Sequence, residues 1–242
     1  MNGYDVTSQF YDVMAGEQHA GVDAQIAAAL DGLDCSGGPI VDIGAGTGLT
    51  TRAIATALPD AEILAVEPHP GMRASLMTRV WADADLRRRV SILPMSVFDV
   101  PLPATISGAV ASAVLVHFDA QEREQLWRLL ASRLATGGRV VVEIQSPEAV
   151  DLPDTRMATF RLGRVDYEGY AKATALAESR QRWRMTYRAL LDGVEIDRQV
   201  AEFICYSVSA SEVVEEATRA CFTARVSADL VLLERSAQAN PA

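Results

Sequence analysis

Residues 41–58, VDIGAGTGLTTRAIATAL, join an apolar run to a helix-like segment through three closely spaced glycines. Glycine loses more backbone freedom on folding than any other residue, so this cluster is costly to order. A strand followed by such a loop and a helix indicates a ligand that comes closer to the main chain than a Cβ would allow. This unit therefore limits the chain to folds that place a ligand at a strand-to-helix turn.

Short apolar runs alternate with helix-like segments over the first 145 residues. The predicted strands are 40–43, 63–66, 90–93, 109–116 and 139–144, and the predicted helices are 51–58, 70–88 and one that begins after Asp119. Strands separated by helices predict an α/β fold with a doubly wound, mostly parallel sheet. A helix at 211–221 and strands at 222–226 and 230–234 are expected to complete it, with the last strand antiparallel.

Residues 146–208 interrupt this alternation and predict a β-hairpin insertion after the fifth strand. The turn is expected at Asp192-Gly193, a dipeptide that favours two-residue hairpin loops. The pairs that this register predicts are Leu191–Val194, Ala189–Ile196, Met185–Val200 and Arg188–Asp197. Two strands alone are too few for stability, so we expect the hairpin to pack as a flap on the main sheet. Trp183 and Tyr187 should lie on the apolar face of the hairpin. The plainer interpretation is that they pack in the core, and the alternative is that they form the wall of a pocket.

Length and charge restrict the function classes. The chain has 242 residues and 49% hydrophobic composition, which suits one domain (1–242) with an N-terminal helical cap at 1–35. A net charge of -10 disfavours nucleic acid and anionic membranes as partners. Three cysteines without a CxxC pair indicate reduced thiols, and no targeting segment or apolar run of membrane-spanning length is present. We therefore expect a soluble cytoplasmic protein.

The glycine loop does not fit the common phosphate-binding patterns. No lysine follows the glycines, which excludes the P-loop, and GxGxxG fails because Leu49 and Thr51 occupy the sixth positions. The pattern is D-x-G-x-G-x-G, with Asp42 two residues before Gly44. An acid so close to the loop suits a ligand that carries an ammonium group better than a pyrophosphate.

These residues resemble the class I S-adenosylmethionine-dependent methyltransferases. VDIGAGTG is similar to the first motif of that family, and LAVEPHPGM is similar to the second. The resemblance implies a Rossmann-like seven-stranded sheet, S-adenosylmethionine as cofactor and S-adenosylhomocysteine as product. It also implies that Glu67 accepts hydrogen bonds from both ribose hydroxyls and that Met72 lies over the adenine ring.

The resemblance assigns a set of cofactor contacts. They are Tyr11, Asp42, Gly44, Ala45, Gly46, Thr47, Gly48, Glu67, Pro68, Met72, Ser96, Val97 and Ala113. The family usually has an aspartate that contacts adenine after the third strand, where this chain has Met95-Ser96-Val97. Ser96 and Asp99 are therefore alternative adenine contacts.

Two residues are candidates for catalysis. Tyr11, in SQFYDVM, resembles a tyrosine that many small-molecule methyltransferases fold over the cofactor, and its alternative role is packing in the core. His117 follows the fourth predicted strand, where an imidazole can act as a general base or pack beside Phe118. Clustered acids at the strand ends are missing, so we predict no metal ion.

The predicted function is methyl transfer from S-adenosylmethionine to an oxygen, nitrogen or carbon atom of a small molecule. The insertion resembles that of bacterial amino-sugar and natural-product N-methyltransferases, and a homodimer is one expected assembly. The alternatives are a cofactor-binding protein of the same fold without methyl transfer and a nicotinamide oxidoreductase. The arginines at 180, 182, 184 and 188 form either a solvent-exposed face or a site for an anionic substrate.

Overall fold

The computed structural model describes residues 3–146, 148–177 and 179–235; residues 1 and 2 of the predicted cap and residues 147 and 178 of the predicted insertion lie outside this part. Its main sheet contains seven strands: β1 (Ile40–Ile43), β2 (Ile63–Val66), β3 (Val90–Leu93), β4 (Ile106–Ala111), β5 (Leu134–Glu143), β10 (Phe222–Ser227) and β11 (Leu230–Arg235). Their order across the sheet is β10-β11-β5-β4-β1-β2-β3. Strands β1 to β5 are parallel, and β11 pairs antiparallel with both β5 and β10.

Helices cover both faces of this sheet. The α-helices of the described residues are α1 (Gly3–Thr7), which packs on the insertion, α2 (Tyr11–Leu30), α3 (Leu49–Ala57), α4 (Pro70–Ala82), α5 (Ala84–Arg89), α6 (Ala120–Arg133) and α7 (Ala210–Arg219). Alternate strand residues point to opposite faces. One set packs with α2, α3, α4 and α5, and the other set packs with α6 and α7. The predicted doubly wound α/β fold is confirmed.

The glycine loop between β1 and α3 adopts the backbone that its sequence requires. Gly44, Gly46 and Gly48 all have positive φ, and Gly48 is the N-cap of α3. A Cβ on Gly48 would lie 2.6 Å from the Leu76 side chain, and one on Gly44 would lie 2.7 Å from Val114. Conformation and close packing therefore both demand glycine at these positions.

Three predicted elements have wrong bounds, one of which is the fifth strand: it begins at Leu134, five residues before the predicted start. The helix expected at 70–88 is two helices, because the Asp83 side chain caps α5 by accepting hydrogen bonds from the backbone of Asp85 and Leu86. The strand expected at 109–116 begins at Ile106 and ends at Ala111. It ends there because Ala113 has φ 54° and residues Leu115–His117 form a 3-10 turn.

The insertion forms a second, antiparallel sheet of four strands: β6 (Leu152–Leu162), β7 (Val165–Ala175), β8 (Arg180–Leu191) and β9 (Val194–Tyr206). The predicted hairpin is β8–β9, and the two further strands were not expected. Leu191 pairs with Val194 as predicted, but a bulge then shifts the register so that Ala189 faces Asp197 and Met185 faces Ala201. The other predicted pairs are therefore wrong, and Arg188 lies opposite Arg198.

The first two helices pack on the second sheet. Phe10 stacks on the Tyr187 ring at a centroid distance of 4.6 Å, and the Tyr187 hydroxyl donates to Thr7 Oγ1 at 3.0 Å. Val6 and Ala201 complete this small core. The second sheet is thus attached through α1 and α2, whereas a flap on the main sheet alone was expected.

Candidate active site

Two cavities lie at the carboxyl ends of the parallel strands. The first, here called the loop cavity, has a volume of about 650 Å³ and lies between the glycine loop, the end of β2 and α1. Nine of the predicted cofactor contacts line it: Tyr11, Gly44, Gly46, Glu67, Pro68, Met72, Ser96, Val97 and Ala113. Most of the thirteen predicted contacts therefore lie together at this cavity.

Glu67 joins the glycine loop to the end of β2. Its Oε2 accepts a hydrogen bond from Gly46 N at 2.9 Å, and its Oε1 accepts one from His69 N at 2.7 Å. Burial raises the pKa of this carboxyl, and the two backbone bonds oppose that rise. The side chain is thus held by the main chain at the edge of the loop cavity.

Four predicted contacts, Asp42, Ala45, Thr47 and Gly48, are not among the residues that line the loop cavity. Asp42 is buried beneath the loop and accepts a hydrogen bond from Thr51. Burial raises its pKa to about 7. The structure therefore gives Asp42 a place in the support of the loop and does not bring it to the cavity.

Thr47 connects the loop to the N-terminal helices. Its hydroxyl donates to Asp12 Oδ1, and its carbonyl accepts from Arg79 Nε at 2.9 Å. Arg79 also forms an ion pair with Asp12. These contacts fix the start of α2, and with it Tyr11, above the glycine loop.

The two alternative adenine contacts, Ser96 and Asp99, differ in their exposure to solvent. Ser96 lines the loop cavity, whereas Asp99 is exposed and is not part of the lining. His69, which lines the same cavity, is mostly buried. Its Nδ1 accepts from Met72 N at 3.4 Å, and its Nε2 pairs with Asp5 Oδ1 at 3.1 Å.

The second cavity, here called the insert cavity, has a volume of about 420 Å³ and lies between the main sheet, α2 and the second sheet. One side is apolar and includes Trp183, Met185 and Tyr187. These side chains therefore form a pocket wall, although Tyr187 also belongs to the small core under α1 and α2. The expectation that the Trp183 and Tyr187 face is core is therefore incomplete, because this face also lines a cavity.

The two cavities meet at a shared group of residues, which we call the junction: Tyr4, Tyr11, Ala113, His117 and Phe203. Tyr4 OH and His117 Nε2 are 2.8 Å apart, and burial lowers the pKa of His117. Burial also raises the pKa of Tyr4 and of Tyr11. At neutral pH the junction therefore contains a neutral imidazole beside protonated phenols.

Glu143 lies at the polar side of the insert cavity. Its Oε2 accepts hydrogen bonds from Ser112 Oγ at 2.6 Å and from Ala113 N at 2.9 Å. The positive φ of Ala113 is sparsely populated by residues with a side chain, and such residues cluster at functional sites. The carboxylate thus helps to hold the strained junction residue in place.

Sequence reasoning missed two members of this cavity. Glu143 and His19 are not among the site residues that the sequence predicts. His19 lines the insert cavity, and its Nε2 is 3.0 Å from Tyr11 OH. The eight-residue spacing between Tyr11 and His19 places them on one face of a helix, which was the available signal.

The arginine cluster of β8 faces away from the insert cavity. Arg184 pairs with Glu202, and Arg188 pairs with both Glu168 and Glu195. These arginines therefore form a charged outer face, which was the simpler of the two interpretations of the cluster.

Within residues 3–146, 148–177 and 179–235, no three His, Cys, Asp or Glu side chains form a group that could hold a metal ion. In the same ranges, no helix is both long and apolar enough to cross a bilayer.

The loop cavity fits S-adenosylmethionine. A Cβ on Gly46 would lie 3.4 Å from Met72 Cε, so the bare backbone keeps this passage open. Met72 and Val97 supply apolar surface for a base, and Glu67 supplies a carboxylate for a vicinal diol. The remaining end of the cavity opens at the junction.

Residues 40–138 match a family model described as a methyltransferase domain. The chain carries a methyltransferase domain. The predictions of an S-adenosylmethionine-dependent methyltransferase and of its methyl donor are confirmed. A comparison with curated proteins finds no match for the chain.

Solved structures similar to this methyltransferase cover almost its entire length. DesVI from Streptomyces venezuelae has a TM-score of 0.77 and 16% identity, over 98% of this chain and 99% of its own. CalS10, an amino pentose methyltransferase from Micromonospora echinaspora solved with S-adenosylmethionine bound, has a TM-score of 0.71 and 16% identity over 91% of both chains. KedS8, a sugar N-methyltransferase from a Streptoalloteichus species, has a TM-score of 0.70 and 15% identity, over 88% of this chain and 86% of its own. At these identities the likeness establishes the fold.

Proposed function

We propose that this methyltransferase transfers the methyl group to an amino group of a small molecule, with an amino sugar as the first candidate. The observation that carries this proposal is that a second cavity, with Glu143 at its polar side, meets the loop cavity at the junction. A carboxylate in a partly dry cavity favours a cationic ligand such as an ammonium group. The descriptions of CalS10 and KedS8 as sugar methyltransferases support the same class.

The chain's own residues have three tasks in this reaction. S-adenosylmethionine, when bound, supplies an electrophilic methyl group on a sulfonium. Glu67 and the glycine loop hold it, and Tyr11 covers the junction. Glu143 draws the acceptor's ammonium into the insert cavity, and the neutral imidazole of His117 takes its proton to free the nitrogen lone pair. Alignment of this kind can supply on the order of 7 kcal/mol or more of the barrier reduction.

The test begins with titration calorimetry of S-adenosylmethionine and S-adenosylhomocysteine. It continues with an assay of S-adenosylhomocysteine formation against matched amines, alcohols and thiols on the same sugar or ring. We expect product with amines and much less with the oxygen and sulfur analogues. Preference for an alcohol or a thiol would contradict the proposal, and cofactor binding without transfer to any acceptor would favour the alternative of a binding protein.

Three finer proposals accompany this function. We propose a single domain (1–242) with a helical cap at 1–35 and an inserted substrate-binding sheet at 146–208, which is supported by the placement of α1, α2 and the second sheet around the insert cavity. We propose a cytoplasmic enzyme of natural-product synthesis that does not bind nucleic acid, supported by the charge of -10 and by the solved structures it resembles. A homodimer is the proposed assembly, and light scattering on a sizing column tests it.

A further inference from the structure

Charged residues of the second sheet are sorted by face. The face toward the insert cavity carries apolar and aromatic side chains, among them Ala171, Trp183, Met185 and Phe203. The opposite face carries Lys172, Arg182, Arg184 and Arg188, with Lys172 directly paired to Arg184 in register. Because successive residues of a strand point to opposite faces, each of these cations is turned away from the cavity.

Carboxylates on the outer face pair with two of these cations, Arg184 and Arg188. Arg184 pairs with Glu202, and Glu168 pairs with both Arg156 and Arg188. An anionic ligand would have to break such pairs and would still not enter the cavity. The outer face therefore stabilises the sheet and supplies no positive charge to the acceptor.

Apart from the imidazoles of His19 and His117, the ionisable charge that lines the insert cavity is of one sign. Among the described residues that line it, Glu143 is the carboxylate and no lysine or arginine is present. Hydrogen bonds from Ser112 and Ala113 reach only Oε2 of that carboxylate. The loop cavity likewise has no lysine or arginine within the described part of its lining. Burying a phosphate against such a lining is costly because no cation compensates its lost hydration.

From this asymmetry we infer that the acceptor is a basic amine on an uncharged body, with no phosphate or other anion inside the insert cavity. The inference rests on the proposed function, since it describes the acceptor of the same methyl transfer. It excludes an amino sugar whose nucleoside diphosphate must lie in this cavity. A net charge of -10 acts in the same direction, because it attracts cationic ligands and repels anionic ones.

The experiment uses the full chain saturated with S-adenosylhomocysteine and two probes of similar size, cyclohexylamine and cyclohexyl phosphate. Binding is followed by NMR at the indole N–H of Trp183, assigned with Trp183→Phe. We expect the amine to bind at least about tenfold more tightly than the phosphate. Equal affinities, tighter binding of the phosphate, or no binding of the amine up to about 50 mM would each overturn the inference.

Variants identify the source of the preference. Glu143→Gln should reduce the ratio of the two affinities to about threefold or less, whereas Asp197→Asn, which removes an exposed carboxylate near the hairpin turn, should leave the ratio unchanged. An unchanged ratio in Glu143→Gln would contradict the assigned role. If the amine binds with the expected preference but no amine is methylated, the proposed function is wrong and the inference about binding stands. If phosphorylated amines are the better methyl acceptors, the inference is wrong and the proposed function stands.

Discussion

The loop cavity and the insert cavity are built in different ways. The loop cavity is formed mainly by segments at the ends of β1, β2, β3 and β4, with α1 and β9 closing it, and its essential surface is backbone at Gly44 and Gly46 together with Glu67. The insert cavity is assembled from α2, the end of β5 and all four strands of the second sheet. The first cavity is therefore determined by short motifs, whereas the second depends on how distant segments meet. We expect variants to separate cleanly into those that weaken cofactor binding, those that weaken acceptor binding and those at the junction.

The largest effect is expected at the junction. His117→Gln should lower kcat about 100-fold, because removal of a general base typically costs at least this much. The Kd for S-adenosylhomocysteine should change by less than about threefold. Rapid-quench and steady-state assays with saturating acceptor measure the first quantity, and calorimetry measures the second. A kcat within about threefold of wild type would remove His117 from the mechanism.

The pH profile of kcat gives an independent check on that residue. Burial lowers the pKa of His117 below its ordinary value of 6.5. The ring therefore stays neutral, and able to accept a proton, until the pH falls below this lowered pKa. Wild-type kcat should therefore decline only on the acid side, with an apparent pKa below 6.5. This decline should be absent in His117→Gln. An acid limb at the same pH in both proteins would assign it to another group.

A cofactor-side variant should have the next largest effect. Glu67→Ala should raise the Kd for S-adenosylmethionine at least about tenfold, because the carboxylate makes charge-assisted hydrogen bonds and also holds the loop through Gly46 N. The acceptor KM at saturating cofactor should change little. Glu62→Ala, which removes an exposed acid just before β2, is the matched control in the same calorimetric titration. An unchanged Kd for Glu67→Ala would count against the cofactor assignment of the loop cavity.

An acceptor-side variant should show the opposite selectivity. Trp183→Ala should raise the acceptor KM about fivefold, since it removes a large apolar surface from the insert cavity. The Kd for S-adenosylhomocysteine should stay within about twofold of wild type. Trp81→Ala, at an exposed position on α4, controls for the loss of a tryptophan. If Trp183→Ala weakened the cofactor and left the acceptor KM unchanged, the division between the cavities would be wrong.

The smallest effect is expected at the contact that fastens α2 over the loop. Asp12→Asn should raise the Kd for S-adenosylhomocysteine about threefold through faster dissociation, because it weakens the pair with Arg79 while Thr47 can still donate. Stopped-flow displacement measures this rate. Asp31→Asn, at the exposed C-cap of α2, is the control. Equal dissociation rates in the wild type and in Asp12→Asn would show that this contact does not retain the cofactor.

The same division explains what the sequence could predict. Local motifs, in which a residue's role is set by its neighbours in the chain, predict the strands at 40–43, 63–66 and 90–93 and most of the nine cofactor contacts found in the lining of the loop cavity. The hairpin register failed because a bulge between Ala189 and Leu190 adds a residue to β9, and nothing in the alternation of apolar residues marks it. Glu143 and His19 were missed because their surroundings come from segments far away in sequence.

Other differences between the sequence pattern and the structure have equally specific causes. Asp42 has the spacing of a ligand contact, but Thr51 lies over it after α3 folds back on the strand. Asp83 divides a helix that continuous helical spacing predicts as one, because its side chain satisfies the first N–H groups of a new helix. In both cases the decisive contact is a side-chain hydrogen bond, which the sequence pattern does not reveal.

A crystal structure of the complex with S-adenosylhomocysteine tests the central claim most directly. We predict the nucleoside in the loop cavity, its ribose hydroxyls on Glu67 and its sulfur at the junction beside Tyr11 and His117. A nucleoside bound elsewhere, or a sulfur atom that does not face the insert cavity, would contradict the account.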